Sequence, residues 1–225
     1  SPLERAKRAV AEIRQLFADP NHPVRKALTS LDKQLARSHK IAGGDSPQAG
    51  SALAETFTRI ADLSQRADPT HPADLAGEIN TQTTSLALAN DAEAAVKAAE
   101  NLARSADDAA AKATKAAGEA EVAASDAMDK AKAWAAAVES ARKTGGSPTQ
   151  QLHEDAKKAV ARAVTAAKKA GQASTSAKQL GERARQQAYG AGKAAAKAGG
   201  EPDTRVEHAK NRAEKAGIAA EKAGA

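Results

Sequence analysis

Residues 92–127 read AEAAVKAAENLARSADDAAAKATKAAGEAEVAASDA. Alternating steps of three and four residues from Ala92 reach an apolar side chain every time as far as Ala127, and every one except Leu102 is alanine. This spacing places the apolar residues along one seam of a helix, which is the heptad pattern of a coiled coil. The positions between them are mostly charged or hydroxyl residues. The stretch therefore predicts a long helix that packs through an alanine seam.

The seam is interrupted after Ala127, because the next heptad position is occupied by Lys130. We expect a four-residue stutter that moves the seam to Ala131. The seam would then continue through its remaining members, which are Trp134, Val138 and Ala141.

Two further segments repeat the pattern. A second seam runs from Leu152 to Ala184 and then stutters to Ala188, and a third runs from Val206 to Ala223. Short helix–helix connections favour antiparallel neighbours. We therefore predict a long antiparallel coiled coil over residues 86–225, with its first helix beginning near Leu86, a hairpin turn near 144–148 and a second turn near 199–203.

Residues 1–85 carry the larger apolar side chains at helical spacing. Their three stripes contain Leu3, Val10, Ile13 and Phe17, then Val24, Leu28, Leu31 and Leu35, then Leu53, Phe57, Ile60 and Leu63. Loop formers with a proline separate the stripes at 19–23, 43–47 and 68–72. The fold class predicted is thus all-α, with a small N-terminal helical bundle followed by the alanine-cored helices.

The few large apolar side chains beyond residue 85 are the candidate helix-packing residues. We expect Trp134 and Val138 to lie near the hairpin turn and to face Leu152 and Val160. The complete set is Leu102, Trp134, Val138, Leu152, Val160 and Leu180.

The charge of the chain, +6 overall, is unevenly distributed. Residues 147–200 contain ten basic and three acidic side chains, which gives +7 for that segment. It holds a candidate basic surface formed by Lys157, Lys158, Arg162, Lys168 and Lys169. A basic helix complementing the acidic stretch 91–139 is one interpretation, and non-specific binding of phosphate groups is the other.

The sequence gives no indication of an enzyme. The chain has no cysteine, and no two of its five histidines are three or four residues apart. A slim alanine coil gives carboxylates little of the burial that separates catalytic pKa values. We therefore predict no catalytic residue, no cofactor and no metal ligand, and we expect no transmembrane segment.

The alanine-rich texture resembles that of a known class of secreted bacterial proteins. The segments that carry the likeness are AAAKATKAA at 109–117 and residues 159–170. They resemble the coiled-coil stalks of actinobacterial proteins with alanine/leucine/phenylalanine-rich (ALF) repeats, the toxin-bearing subunits of umbrella-type particles. The resemblance implies a stalk between a ring-forming region and a terminal toxin.

A structural spacer or scaffold within a larger, secreted or cell-surface bacterial protein is the function expected. Its partners would be other chains or domains of the same assembly. Because the last seam is still in register at its end, we expect the coiled coil to continue beyond this chain. Two alternatives stay open: a helical protein-binding module of a secreted effector, and a non-specific binder of nucleic acid or anionic membrane through residues 147–200.

Overall fold

The computed structural model describes residues 1–42 and 50–225, and in this part of the chain it contains six α-helices and no strand. The helices are α1 (Pro2–Gln15), α2 (Pro23–Ala42), α3 (Ser51–Arg66), α4 (Pro72–Thr144), α5 (Gln150–Ala198) and α6 (Thr204–Gly224). The all-α class is confirmed. The turn predicted at 43–47 lies outside the described residues.

The chain divides into two compact units that are discontinuous in sequence. Unit 1 comprises Ser1–Glu100 and Gln186–Ala209, and unit 2 comprises Asn101–Arg185 and Lys210–Ala225. Helices α4, α5 and α6 each contribute residues to both units. The small N-terminal helical bundle predicted for residues 1–85 stays a prediction.

Unit 1 has a core of large aliphatic and aromatic side chains. Helices α1, α2 and α3 bury their predicted stripes together with the first turns of α4. Fully buried members include Ile13, Leu28, Leu31, Ile60 and Ile79. Complete burial of such a side chain contributes roughly 1.5–3 kcal/mol, so this cluster is the main stabilising element of unit 1.

Helix α4 begins at Pro72, earlier than the predicted start near Leu86. The intervening residues include poor helix formers, which is why the pattern did not predict them. Tertiary packing compensates, because Leu75 and Ile79 are buried in the core of unit 1. The hydroxyl of Thr83 also donates to the carbonyl of Ile79 at 2.9 Å, which satisfies that polar group locally.

The same five-residue turn, Asp-Pro-x-His-Pro, precedes both α2 and α4. In each copy the aspartate side chain accepts from the backbone N–H two residues on, at 2.9 Å for Asp19 and 2.8 Å for Asp68. The histidines differ. Nδ1 of His22 accepts from the N–H of Val24 at 3.1 Å and so caps α2, whereas Nδ1 of His71 lies 2.7 Å from Asp68.

Unit 2 packs parts of three helices around alanine. One cluster joins Ala106 and Ala110 of α4, Ala184 of α5, and Ala213 and Ala216 of α6. The next joins the later α4 residue Ala113, the earlier α5 residue Ala177 and the later α6 residue Ala220. Helix α5 therefore runs antiparallel to α4 and α6 in this unit.

Two glycines, Gly145 and Gly146, end α4 and begin the connection to α5. Gly145 has φ +72°, a conformation in which a side chain is strained, and the N–H of Gly146 donates to the carbonyl of Ala141 at 3.0 Å. This is the hydrogen bond of a Schellman C-cap, which satisfies a terminal carbonyl of α4. The helix ends at Thr144, and α5 starts at Gln150.

The stutter predicted after Ala127 is not formed. Ala131 is exposed, whereas Lys130 and Ala137 are partly covered and Ala141 is buried, so the original heptad continues without interruption. A lysine can occupy such a position because its methylene stem packs while its ammonium reaches solvent. Here Nζ of Lys130 lies 3.4 Å from Asp126.

Candidate functional site

The most buried charged side chain in unit 1 is that of Glu93 on α4, which forms an ion pair with Arg205 on α6. Arg205 donates from Nη1 to Oε1 of Glu93 at 2.9 Å and from Nη2 to Oε2 at 2.6 Å. The side chain of Glu93 is 2% exposed and that of Arg205 is 17% exposed. This bidentate geometry suits the planar guanidinium, and it fixes the orientation of both side chains.

Two neighbouring groups complete the polar cluster. The carboxylate of Asp203 accepts from Nε of Arg205 at 3.0 Å and from Nη2 at 2.8 Å. The backbone N–H of Gly50 donates to Oε2 of Glu93 at 3.1 Å. The first turn of α6, α4 and the residue preceding α3 therefore meet at one carboxylate.

The cluster stabilises the charged forms of Asp203 and Arg205. The hydrogen bonds to Glu93 raise the pKa of Arg205, against the opposing effect of burial. Burial alone would raise the pKa of Asp203, but hydrogen bonds from the side chain and backbone N–H of Arg205 outweigh it and lower that pKa. Glu93, Asp203 and Arg205 together carry one net negative charge, which the N–H of Gly50 partly compensates.

The turn between α5 and α6 lies directly against the start of α3. Gly200 has φ +85°, and a Cβ atom there would be 2.9 Å from Oγ of Ser51 and 3.0 Å from the backbone nitrogen of Ala52. Oγ of Ser51 donates to the carbonyl of Glu201 at 3.2 Å. Only glycine fits both the backbone angle and the space.

A second buried polar network joins α2 to α4 in unit 1. Ser38 and Asn90 are both 0% exposed, and the Ser38 hydroxyl donates to the Asn90 side chain at 2.8 Å. The amide of Asn90 donates in turn to the carbonyl of Gln34 at 3.0 Å. Each buried polar side chain in this interface thus has a partner, and the network fixes the register of the two helices.

The candidate packing residues of unit 2 differ in how deeply they are buried. Leu102 and Leu180 are partly buried and pack against the alanine cluster. Trp134 is partly buried, and its ring lies 4.8 Å from that of His153, centroid to centroid. Leu152 is also partly buried.

Val138 and Val160 are corrections to the predicted packing set. Val138 is 39% exposed and Val160 is 47% exposed. The uninterrupted heptad puts the adjacent Ala137 on the seam of α4, which turns Val138 outwards. On α5 the adjacent Ala159 is buried at 1% exposure, and Val160 lies one residue further around the helix.

The candidate basic surface is divided between two sides of α5. At about 100° per residue, Lys158, Arg162 and Lys169 fall on one side, whereas Lys157 and Lys168 fall together on another. Arg162 and Lys169 line an open groove with Glu119 of α4. Among the described residues, however, no ion pair joins α5 to the acidic stretch of α4, and Lys157 pairs with Glu154 on its own helix at 3.6 Å.

An exposed carboxylate–imidazole pair lies in the turn before α4. Hydrogen bonds from Thr70 and His71 lower the pKa of Asp68 to about 2. The hydrogen bond to Asp68 raises the pKa of His71. The pair sits at the N-terminus of α4, so it orders the turn that starts the helix.

Two absences among the described residues bear on other kinds of site. Within residues 1–42 and 50–225, no three His, Asp or Glu side chains are grouped so that they could hold a metal ion. None of the helices in the same ranges combines the length and the apolar character needed to cross a bilayer.

Sequence reasoning did not identify the Arg205 cluster. Glu93 and Arg205 are 112 residues apart, and neither belongs to a motif. The nearest signal was the turn predicted near 199–203, which did not indicate what that turn contacts.

The fold and these surfaces define an all-helical protein with one conventional and one alanine-based core. Comparison with known proteins found no matching family model, no matching curated protein and no matching solved structure.

Proposed function

We propose that the chain is a non-enzymatic helical spacer or scaffold, a coiled-coil stalk within a larger secreted bacterial protein. The observation that carries the proposal is the interior of unit 2. There α4, α5 and α6 pack through alanines such as Ala106, Ala113, Ala177, Ala184 and Ala220, each 0% exposed. Such a seam gives length at small cross-section, because helix axes approach closely across small residues.

The dimensions of unit 2 support the same role. Residues 101–144 of α4 rise about 65 Å at ~1.5 Å per residue. Over that length most buried positions of α4 are alanine, and the outer positions are largely charged. The ALF-repeat resemblance leads to the same proposal, a stalk whose partners are chains or domains of one assembly.

Native-state hydrogen exchange of the isolated chain tests the spacer proposal. A spacer is rigid before any partner binds, so the seam amides of α4 and α5 in unit 2 should exchange slowly and together. A binding module that orders on its partner would instead show fast exchange over 101–185. Fast exchange throughout that range would contradict the spacer.

The basic side of α5 supports one alternative, a surface that binds phosphate groups. Lys158, Arg162 and Lys169 share one side of the helix, and none of them has an ion pair among the described residues. Binding of this kind weakens steeply with salt. Titration with an oligonucleotide at low and moderate ionic strength tests it: salt-sensitive binding lost in Arg162→Gln would favour this alternative.

A further inference from the structure

The chain has four aromatic residues, and one of them lies open to solvent. Phe17 and Phe57 are buried in the core of unit 1, and Trp134 is partly buried beside His153. Tyr189, in the part of α5 that belongs to unit 1, is 61% exposed. Packing therefore accounts for three of the aromatic side chains and not for Tyr189.

Tyr189 lies away from the packed side of α5. Ala188 and Ala191 are both 0% exposed and mark that side. At about 100° per residue, Tyr189 is roughly 100° around the helix from the first and roughly 160° from the second. Nζ of Lys193 lies 4.6 Å from the centroid of the tyrosine ring, which is a cation–π contact. The contact holds the ring beside a positive charge on the helix surface.

The charged residues in this part of α5 are both lysines. Residues 186–198 contain Lys193 and Lys197 and no acidic side chain. Both lysines are exposed, and neither has an ion pair among the described residues. They lie about 40° and 80° around the helix from Tyr189, and ~6 Å from each other along its axis. An aromatic ring and two ammonium groups without a carboxylate partner thus share one side of α5.

We infer that this side of α5 binds a single strand of nucleic acid. The surface, the Tyr189 face, is defined as Tyr189, Lys193 and Lys197. A base stacks on the tyrosine ring while the two ammonium groups contact the phosphates beside it, which is the usual combination in proteins that bind single strands. Every base has a face that can stack, so the contact carries little sequence preference.

The aromatic ring selects this partner. Charge alone does not, because Glu201 and Glu207 are also exposed in unit 1. Duplex nucleic acid keeps its bases inside the stack, where a tyrosine cannot reach their faces. An acidic peptide would pair with the lysines and leave the ring unused. A membrane would gain only Tyr189 and Ala196 as apolar contacts on this side, and apolar burial contributes only about 25 cal/mol per Å².

Fluorescence anisotropy of a labelled oligothymidylate of about 15 nucleotides tests the inference with the full chain at low ionic strength. Saturable binding is expected. Tyr189→Ala should weaken it at least about fivefold, whereas Tyr189→Phe, which keeps a ring for stacking, should weaken it less than about twofold. Lys193→Gln and Lys197→Gln should each weaken binding and reduce its salt dependence.

An abasic strand of the same length is the matched control, because it has the phosphates but no base to stack. It should bind the unmodified chain at least about fivefold more weakly than oligothymidylate does, and Tyr189→Ala should leave its affinity unchanged. This comparison separates stacking on the ring from attraction between phosphate and lysine.

Several results would overturn the inference. They are the absence of saturable binding, equal affinity for the thymidylate and abasic strands, unchanged affinity in Tyr189→Ala, and tighter binding of a duplex than of the single strand. Binding lost in Arg162→Gln but kept in Tyr189→Ala would assign the phosphate contacts to unit 2 instead. Circular dichroism of each variant confirms its helicity. The inference does not rest on the spacer function, which hydrogen exchange tests without any nucleic acid.

Discussion

The guanidinium of Arg205 donates two hydrogen bonds to the carboxylate of Glu93, at 2.9 and 2.6 Å, across 112 residues of sequence. This pair connects the first turn of α6 to α4 within unit 1. With Asp203 and the N–H of Gly50 it forms a cluster in which each charged group has a partner. Removing Glu93 would leave Arg205 paired with Asp203 alone and would take away the acceptor of the Gly50 N–H.

Substituting Glu93 by alanine should therefore destabilise unit 1 by about 1–3 kcal/mol, because donors of Arg205 and Gly50 lose their buried acceptor while Asp203 still pairs with Arg205. Urea unfolding monitored by circular dichroism measures the change. The matched control is Glu154→Ala, which removes the exposed pair with Lys157 and should cost less than about 1 kcal/mol. Equal losses in the two variants would show that the Arg205 cluster is not a stabilising contact.

The glycines between α5 and α6 give a second comparison. Both Gly199 and Gly200 have positive φ, but a Cβ at Gly199 meets nothing within 4 Å, whereas one at Gly200 meets Ser51 and Ala52. Gly199→Ala should cost only the backbone strain, about 1 kcal/mol. Gly200→Ala should cost a further ~1–3 kcal/mol, because atoms of α3 must also move. Thermal unfolding of the two variants measures the difference, and equal melting temperatures would argue against the close approach to α3.

The alanine seam should not accept a larger side chain. Ala184 is 0% exposed between α4, α5 and α6, so Ala184→Leu should destabilise unit 2 by about 1–3 kcal/mol through overpacking. The exposed Ala111 offers the control, since Ala111→Leu should change stability by less than ~0.5 kcal/mol. Urea titration of both variants checks this, and a neutral Ala184→Leu would contradict the close packing.

The turn before α4 should titrate as a pair. The carboxylate of Asp68 raises the pKa of His71 above 6.5, so Asp68→Asn should lower it towards that value in an NMR titration. Asp74→Asn removes a smaller contribution and should lower it less. The folded pKa of His71 is raised and that of Asp68 is lowered, so any stability the pair gives is complete between pH 3.8 and 6.5. It is lost as the pH rises through the folded pKa of His71, and also as the pH falls to about 2, the folded pKa of Asp68. If the pKa of His71 were unchanged in Asp68→Asn, the two side chains would not interact in the folded protein.

The heptad seams were predictable because alanine spacing alone determines which side of a helix faces its neighbours. Val206, Ala209, Ala213, Ala216 and Ala220 are all buried where the pattern placed them. The pattern could not predict where the seam tolerates a polar residue. Lys130 stays in register because its stem packs, and that one difference moves Ala131 and Val138 out of the interface.

Other features left no periodic signal at all. The start of α4 at Pro72 depends on burial of Leu75 and Ile79 by helices distant in sequence, and this burial outweighs weak local propensity. The Glu93–Arg205 pair depends on which charges happen to meet after folding. Contacts between residues this far apart in sequence are determined by tertiary packing.

The central claim, that unit 2 is a rigid helical spacer, is tested most directly by measuring a distance along α4. The chain has no cysteine, so a variant with Lys112→Cys and Ala133→Cys carries spin labels at these two positions alone. Both positions are exposed. Twenty-one residues of continuous helix predict a separation of about 32 Å at ~1.5 Å per residue. Double electron–electron resonance should give one narrow distribution at that distance in the isolated chain. A broad distribution, or a second population at shorter distance, would contradict a rigid helical spacer.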